Sequence, residues 1–316
     1  IRRPPRSTHC ISSAASDVYK RQISYLIGTI IIIALLSYVG IGKIITLITH
    51  MSIQFFLVAF ILDVAGLVFY ALTWHILLKV VKKDMPFKIS LTASLASIFT
   101  VYVTPSGFIL ELIRLVLVNK EADVPIGRGA ATLVMHRILY TLSFILAAIT
   151  SFLIVQFKYS FLGSMVGVFI TIIIVSSATL VGIYFLSNRT DIIEKIIMKG
   201  YKRYEDKINE LLSKYEPNMV INTVSNTIND FKEAFIKLQQ NKKSLITAFF
   251  TVLSTWIFNV IIFYIVFISL NYKISIWITA LIMVVGEFVQ MTPIAIPGML
   301  GIIETVFTTT LTAFGV

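Results

Sequence analysis

Residues 89–118 read ISLTASLASIFTVYVTPSGFILELIRLVLV, two short apolar runs on either side of Pro105-Ser106-Gly107. At 1.5 Å per residue, positions 89–104 make about 24 Å of helix and 108–118 about 17 Å, so neither run comfortably crosses about 30 Å of hydrocarbon alone. The stretch is therefore either one kinked span or a re-entrant hairpin that enters and leaves on the same side. Charge on its flanks separates the two. The preceding loop, 79–88, reads KVVKKDMPFK, and the polar segment 188–243 carries eleven Lys/Arg against eight Asp/Glu. Basic loops stay on the cytoplasmic side. Two apolar spans, 128–157 and 161–186, lie between 118 and the polar segment, so both basic segments share a side only if 89–118 makes no net crossing. The hairpin is the expectation.

The rest of the chain has the same solvent. Of 316 residues, 57% are hydrophobic and 14% charged, with a mean hydropathy of +0.88, too apolar for a soluble domain of this size. Runs 23–39, 53–78 and 244–270 are further spans. Run 274–291 meets TPIAIPGMLG (292–301) and resumes at 302–316, a second broken helix placed in the second half as the first is in the first half. The expected fold is all-α, a polytopic transmembrane bundle with two Pro/Gly-broken re-entrant hairpins. Paired short segments interrupted by Pro or Gly are the sequence sign of a transporter's substrate site.

Two regions stand apart. Residues 1–22, IRRPPRSTHCISSAASDVYKRQ, have no initiator Met and no apolar core of a signal peptide, and they resemble a translated sequencing-adapter artefact. Without their five Lys/Arg and Asp17 the formal charge falls from +11 to +7, and the sole cysteine, Cys10, goes with them. Thiol, disulfide and cysteine-metal chemistry are then excluded for 23–316. The chain is expected to be a fragment at both ends. In the 188–243 segment, Ile192, Ile193, Ile196, Ile197, Tyr201, Tyr204, Ile208, Leu211, Leu212 and Tyr215 recur at helical spacing. Val220, Val224, Ile228, Phe231, Phe235 and Leu238 resume the pattern after Pro217. This predicts a cytoplasmic amphipathic helical hairpin, its two helices packed on each other or on the membrane surface, and more simply a solvated connector than a binding domain.

Non-helical backbone at membrane depth needs a packed or wet surrounding. A helix restarting after such a break turns free N–H groups and partial positive charge toward that space, which suits a phosphate. The first break, with Pro105 and Gly107, precedes Glu111 and Arg114 at i and i+3 on one face. The second, with Pro297, Gly298 and Gly301, precedes Glu304 in the first turn of its helix, where an anion also acts as a simple cap. His136 and Arg137 lie about two turns into an apolar run, and charges there face a partner or a wet cavity. Arg137 is expected to pair with Glu111 or Glu304. Asp63, His136 and Glu287, also within apolar runs, are secondary candidates, while His75 and Lys79 are expected to snorkel to the interface.

These segments carry a resemblance. TPSGFILELIR (104–114), His136-Arg137 and TPIAIPGMLGIIE (292–304) look like the transmembrane region shared by the lysylphosphatidylglycerol synthase/flippase family and its stand-alone relatives, over essentially 23–316. The family pattern has P-S-G followed by an acid and an Arg three residues later, then E-R-x-x-D, then P-G-G-x-G-x-x-E. Here Leu110 stands where glycine is frequent, His136 for the glutamate, Tyr140 for the aspartate and Met299 for the second glycine. The resemblance implies binding or translocating an anionic or lipid-linked polar head group between leaflets of the plasma membrane, with Pro105, Gly107, Glu111, Arg114, Arg137, Pro297, Gly298, Gly301 and Glu304 around the substrate. It implies a membrane lipid as partner, no nucleic acid, no cofactor and no metal, and a homo-oligomer is compatible with it. The soluble synthase domain of bifunctional relatives is not in this sequence. There is also no D-x-D pair and no nucleophile beside a base, so a membrane-embedded transferase on a lipid-linked donor and a non-catalytic partner subunit stand as alternatives.

Overall fold

The computed structural model describes residue 26 and residues 29–103, 107–159, 165–203, 217–291 and 299–314. Pro105, Pro297, Gly298 and residues 1–22 lie outside the described residues. All regular structure among the described residues is helical, and four helices are long and apolar enough to span a membrane.

The chain begins with α1 (Thr29–Val39) and α2 (Ile41–His50), bent by 77° at Gly40, whose φ of +88° falls where only glycine is unstrained. The sequence predicts a span at 23–39 and assigns nothing to 41–50; the structure adds α2 there. Next come α3 (Ile53–Val81), α4 (Phe87–Val103), α5 (Gly107–Ala122), α6 (Ile126–Tyr159) and α7 (Val166–Asn188). Then follow α8 (Thr190–Arg203), α9 (Pro217–Gln240), α10 (Lys242–Ser269), α11 (Ile276–Met291) and α12 (Ile302–Ala313).

The long helices α3 and α10 form the antiparallel centre. At one end the Ser52 N–H donates to the Ser269 carbonyl at 3.0 Å. At mid-length Phe69 meets Phe258 edge-on at 5.2 Å. At the other end Leu77 and Val80 share a core with Leu238, Ala248 and Val252. Each of the two helices leads into a broken hairpin, and because they run oppositely, the hairpins enter the bundle from opposite ends.

The first hairpin is the expected one. Ser94, ten residues before the break at 104, accepts a hydrogen bond from Arg114, eight residues beyond 106, so α5 runs back along α4 instead of continuing its direction. The base is closed by Lys82, whose ammonium donates to the Ala122 carbonyl, and by Met85 packed among Val118, Ala122 and Val124. A buried stripe of small residues, Ser90, Ala93, Ser94 and Ser97, lets the two helices approach closely. In the second hairpin, Gly286 leaves room for the Phe307 ring, which a Cβ would meet at 2.6 Å. Phe314 returns to the level of Leu281 and Ile282.

His75 corrects one expectation. It is 8% exposed and its Nδ1 is 2.9 Å from the Ser90 hydroxyl, so it ties α3 to α4 instead of reaching an interface. The polar segment is corrected as well. Its second helix, α9, is no solvated connector: Ala234, Phe235 and Leu238 are buried with Leu77, Ala131 and Met135, an amphipathic face docked on α3 and α6. Arg128 Nε pairs with Asp230 at 2.9 Å, and Gln239 donates to Asn188 at 3.1 Å. The loop after α3, the start of α6, the end of α7 and the turn before α10 therefore gather at one end, called here the basic end. This is the arrangement that the charge distribution required of 89–118.

At Gly127 the α6 backbone runs so close to α9 that an added Cβ would lie 2.1 Å from the Thr227 carbonyl oxygen. A backbone atom cannot step aside as a side chain can. Gly127→Ala is expected to push α9 off α6 and to cost about 1–3 kcal/mol, the ordinary cost of overpacking. The readout is a lower midpoint of thermal unfolding in detergent, with Gly167→Ala, where nothing lies within 4 Å, as the unaffected control.

Candidate functional site

The polar residues buried by this architecture converge where α3, α5, α6, α10 and α11 meet. Among them Arg114 has no exposed surface. Its guanidinium lies between two aromatic faces on α3, 4.7 Å from the Tyr70 centroid and 4.8 Å from that of Trp74. Trp74 is held in turn by its indole N–H donating to Thr132 at 3.0 Å. Nη2 donates to Ser94 at 3.3 Å, and Nη1 lies 3.5 Å from Glu111 Oε2, one turn back on α5. Planar, weakly hydrated guanidinium suits such stacking, as a lysine ammonium does not.

The expected pairing of Arg137 with Glu111 or Glu304 is thereby corrected. Glu111 pairs with Arg114, its i+3 neighbour, because one helical turn brings them together without cost in register. Glu304 turns back on its own helix: its Oε2 accepts the Gly301 N–H at 2.8 Å, capping α12 where Gly301 takes φ +83°. Arg137 makes no ion pair among the described residues. It is exposed at the wall of a cavity.

Two cavities flank a common septum. The larger, about 460 Å³, lies between α3, α10 and α11, with Asp63, Gly66, Thr255 and Asn259 on its walls. The smaller, about 180 Å³, is bounded by Glu111, His136, Arg137 and Met291. Tyr70, Tyr140, Glu287 and Gln290 line both. The helix registers place them along the bundle axis. The larger reaches Asp63 and Phe263, toward the end where α3 starts and α10 stops. The smaller reaches Met291 and Glu111, nearer the basic end.

Glu287 is the buried acid of the septum, 8% exposed. Its Oε2 accepts the Tyr140 hydroxyl at 2.8 Å and its Oε1 the Asn259 amide at 3.4 Å. His136 is 3% exposed, stands edge-on to Tyr70 at 5.0 Å, and its Nε2 has no hydrogen-bond partner among the described residues. Asp63 is exposed on the wall of the larger cavity.

The structure thus brings Glu111, Arg114, His136, Arg137 and Glu287 together, with Asp63 one cavity away, and sets Glu304 apart as a cap. It adds Tyr70, Trp74, Ser94, Asn259 and Gln290, which reading by charge alone passes over. The uncharged amides Asn259 and Gln290 inside apolar runs were the legible signal. Tyr70 and Trp74, at i and i+4 on one face, read as ordinary core. Among the described residues no three His, Cys, Asp or Glu side chains converge to hold a metal ion.

Long apolar helices, two hairpins entering from opposite ends and charged cavities between them define a multi-pass integral membrane protein. The chain belongs to the family of the lysylphosphatidylglycerol synthase TM region, which matches residues 22–316. It is similar to UPF0104 membrane proteins of three archaea. Identity is 26% with that of Methanocaldococcus jannaschii, covering 82% of this chain and 75% of the relative. With that of Archaeoglobus fulgidus it is 25%, covering 75% and 71%, and with that of Pyrococcus horikoshii 24%, covering 94% and 88%. No solved structure matches the chain.

Proposed function

We propose that the chain is a flippase-like module that binds an anionic or lipid-linked polar head group and carries it between leaflets of the plasma membrane, with the basic end on the cytoplasmic side. The observation that carries this reading is Arg137: a cation inside an apolar span, without an ion pair among the described residues, facing a cavity between the two hairpins. A membrane-buried arginine costs several kcal/mol unless something anionic or wet receives it, and a guanidinium presents the fork that a phosphate accepts. The family, named for the lysylphosphatidylglycerol synthase TM region, supports a lipid context. Glu111, paired with Arg114, borders the same cavity, and Glu287 lines it from α11.

The test is the movement of fluorescent phospholipids in proteoliposomes, followed by dithionite quenching of the outer leaflet. The expected result is faster exchange of anionic phospholipids than in protein-free vesicles, with no acceleration of a phosphate-free diacylglycerol analogue. Equal rates with and without protein for every head group would overturn the reading.

A further inference from the structure

Among the described residues Glu287 is the one carboxylate that lines both cavities. Its position in the septum makes it reachable from the larger cavity on one side and the smaller on the other, which is the arrangement an ion-coupled carrier requires at the meeting point of its two halves. Both carboxylate oxygens already have a neutral partner, the Tyr140 hydroxyl and the Asn259 amide. These orient the group without neutralising it. A lone carboxylate held by two neutral hydrogen-bond donors, the Tyr140 hydroxyl and the Asn259 amide, presents N–H and O–H groups and not further oxygen ligands, an environment that suits a proton. His136 also borders the smaller cavity, with its Nε2 closed off from solvent and without a hydrogen-bond partner among the described residues.

We propose that Glu287 is a proton-binding site shared by the two cavities, through which a proton gradient is coupled to head-group movement; the coupling rests on the function proposed above, the proton site does not. The carboxylate takes a proton from water in the larger cavity, forming a neutral carboxylic acid. That O–H bond breaks toward water in the smaller cavity, restoring the carboxylate, and the proton leaves on the side of the basic end. Among the described residues the ionisable groups that line a cavity with Glu287 are Tyr140, Arg137 and His136 from α6, Tyr70 and Asp63 from α3, and Glu111 from α5. Among the described residues α10 contributes the neutral Asn259 there, and the acid of α12, Glu304, is engaged in its own cap. Arg137 is the one cation among these that lines a cavity with Glu287. Its charge favours the carboxylate when the smaller cavity is empty of anion, and a bound phosphate on Arg137 removes that bias and favours protonation. Head-group binding and proton binding are thereby linked with positive sign.

Infrared difference spectroscopy of the purified full chain, titrated across the physiological pH range, reads the site directly. The expected result is a protonated-carboxyl band that disappears in Glu287→Gln, persists in Asp63→Asn, and shifts in frequency in Tyr140→Phe, which removes one hydrogen bond and keeps the acid. A band that survives Glu287→Gln, or is abolished by Asp63→Asn, overturns the assignment. Should Glu287→Gln fail to fold, an unshifted band in Tyr140→Phe overturns it equally. Proteoliposomes carrying both a lumenal pH dye and a fluorescent phospholipid separate the two readings. Wild-type lipid movement indifferent to an imposed pH gradient overturns the coupling while the lipid reading stands. A Glu287 band without lipid movement supports the proton site and overturns the lipid reading.

Discussion

Replacing Arg114 by alanine is expected to lower stability by about 2–4 kcal/mol, the range for emptying a well-packed buried site. The residue is wholly buried, and what it leaves is a gap between the Tyr70 and Trp74 faces together with an unpartnered Ser94 hydroxyl. Each stacked face is worth roughly 0.5–2 kcal/mol. The Glu111 side chain is about one-third exposed, but the Oε2 that faces Arg114 is buried without a hydrogen bond, so losing the guanidinium also leaves that oxygen uncompensated. Arg114→Lys keeps the charge and loses the fork and the stacking, and is expected to fall between wild type and alanine. Thermal unfolding followed by tryptophan fluorescence checks both, since Trp74 is in direct contact with the lesion. An unchanged midpoint for Arg114→Ala would show that the guanidinium does not hold α5 against α3.

Arg137→Ala is expected to do the opposite, leaving the unfolding midpoint within about 0.5 kcal/mol of wild type, as substitutions without buried partners do. Its effect falls on lipid movement, slowed at least about tenfold in the proteoliposome assay, since losing a charge-assisted contact to phosphate costs roughly 1.5–3 kcal/mol. Arg137→Lys retains a point charge at the cavity wall and is expected to recover part of the rate. A rate equal to wild type in Arg137→Ala would remove this residue from the site. The contrast between the two arginines is itself informative: one serves the hairpin's packing and the other faces the space between the hairpins, although in sequence both are single cations in apolar runs.

How far the site could be read from residues follows the same division. Lone charges in apolar segments announced themselves, and Glu111, Arg114, His136, Arg137 and Glu287 do converge. Their partners did not announce themselves. Spacing of three along one helix was enough to bring Glu111 to Arg114, whereas the aromatic sandwich around that guanidinium depends on how α3 lies against α5. Tyr140 stands where the family pattern has an aspartate, and only the packing of α6 on α11 shows that its hydroxyl holds a glutamate 147 positions away. Glu304 had two readings in sequence, ligand or cap, and the structure adds a hydrogen bond to its own helix start.

Hydrophobicity and segment length, which are additive along a chain, determined by themselves that this protein is a helical bundle built for a membrane. Basic-loop placement determined that 89–118 makes no net crossing, because charge asymmetry acts on each loop separately. Periodicity likewise marked the amphipathic face of α9, without saying what it would cover. Tertiary structure alone decided that this face docks at Gly127 and Arg128, that the hairpins enter from opposite ends, and that one carboxylate stands between two cavities. Those facts depend on which helices touch, and helix contacts arise from the summed fit of many small surfaces that no single stretch of sequence contains.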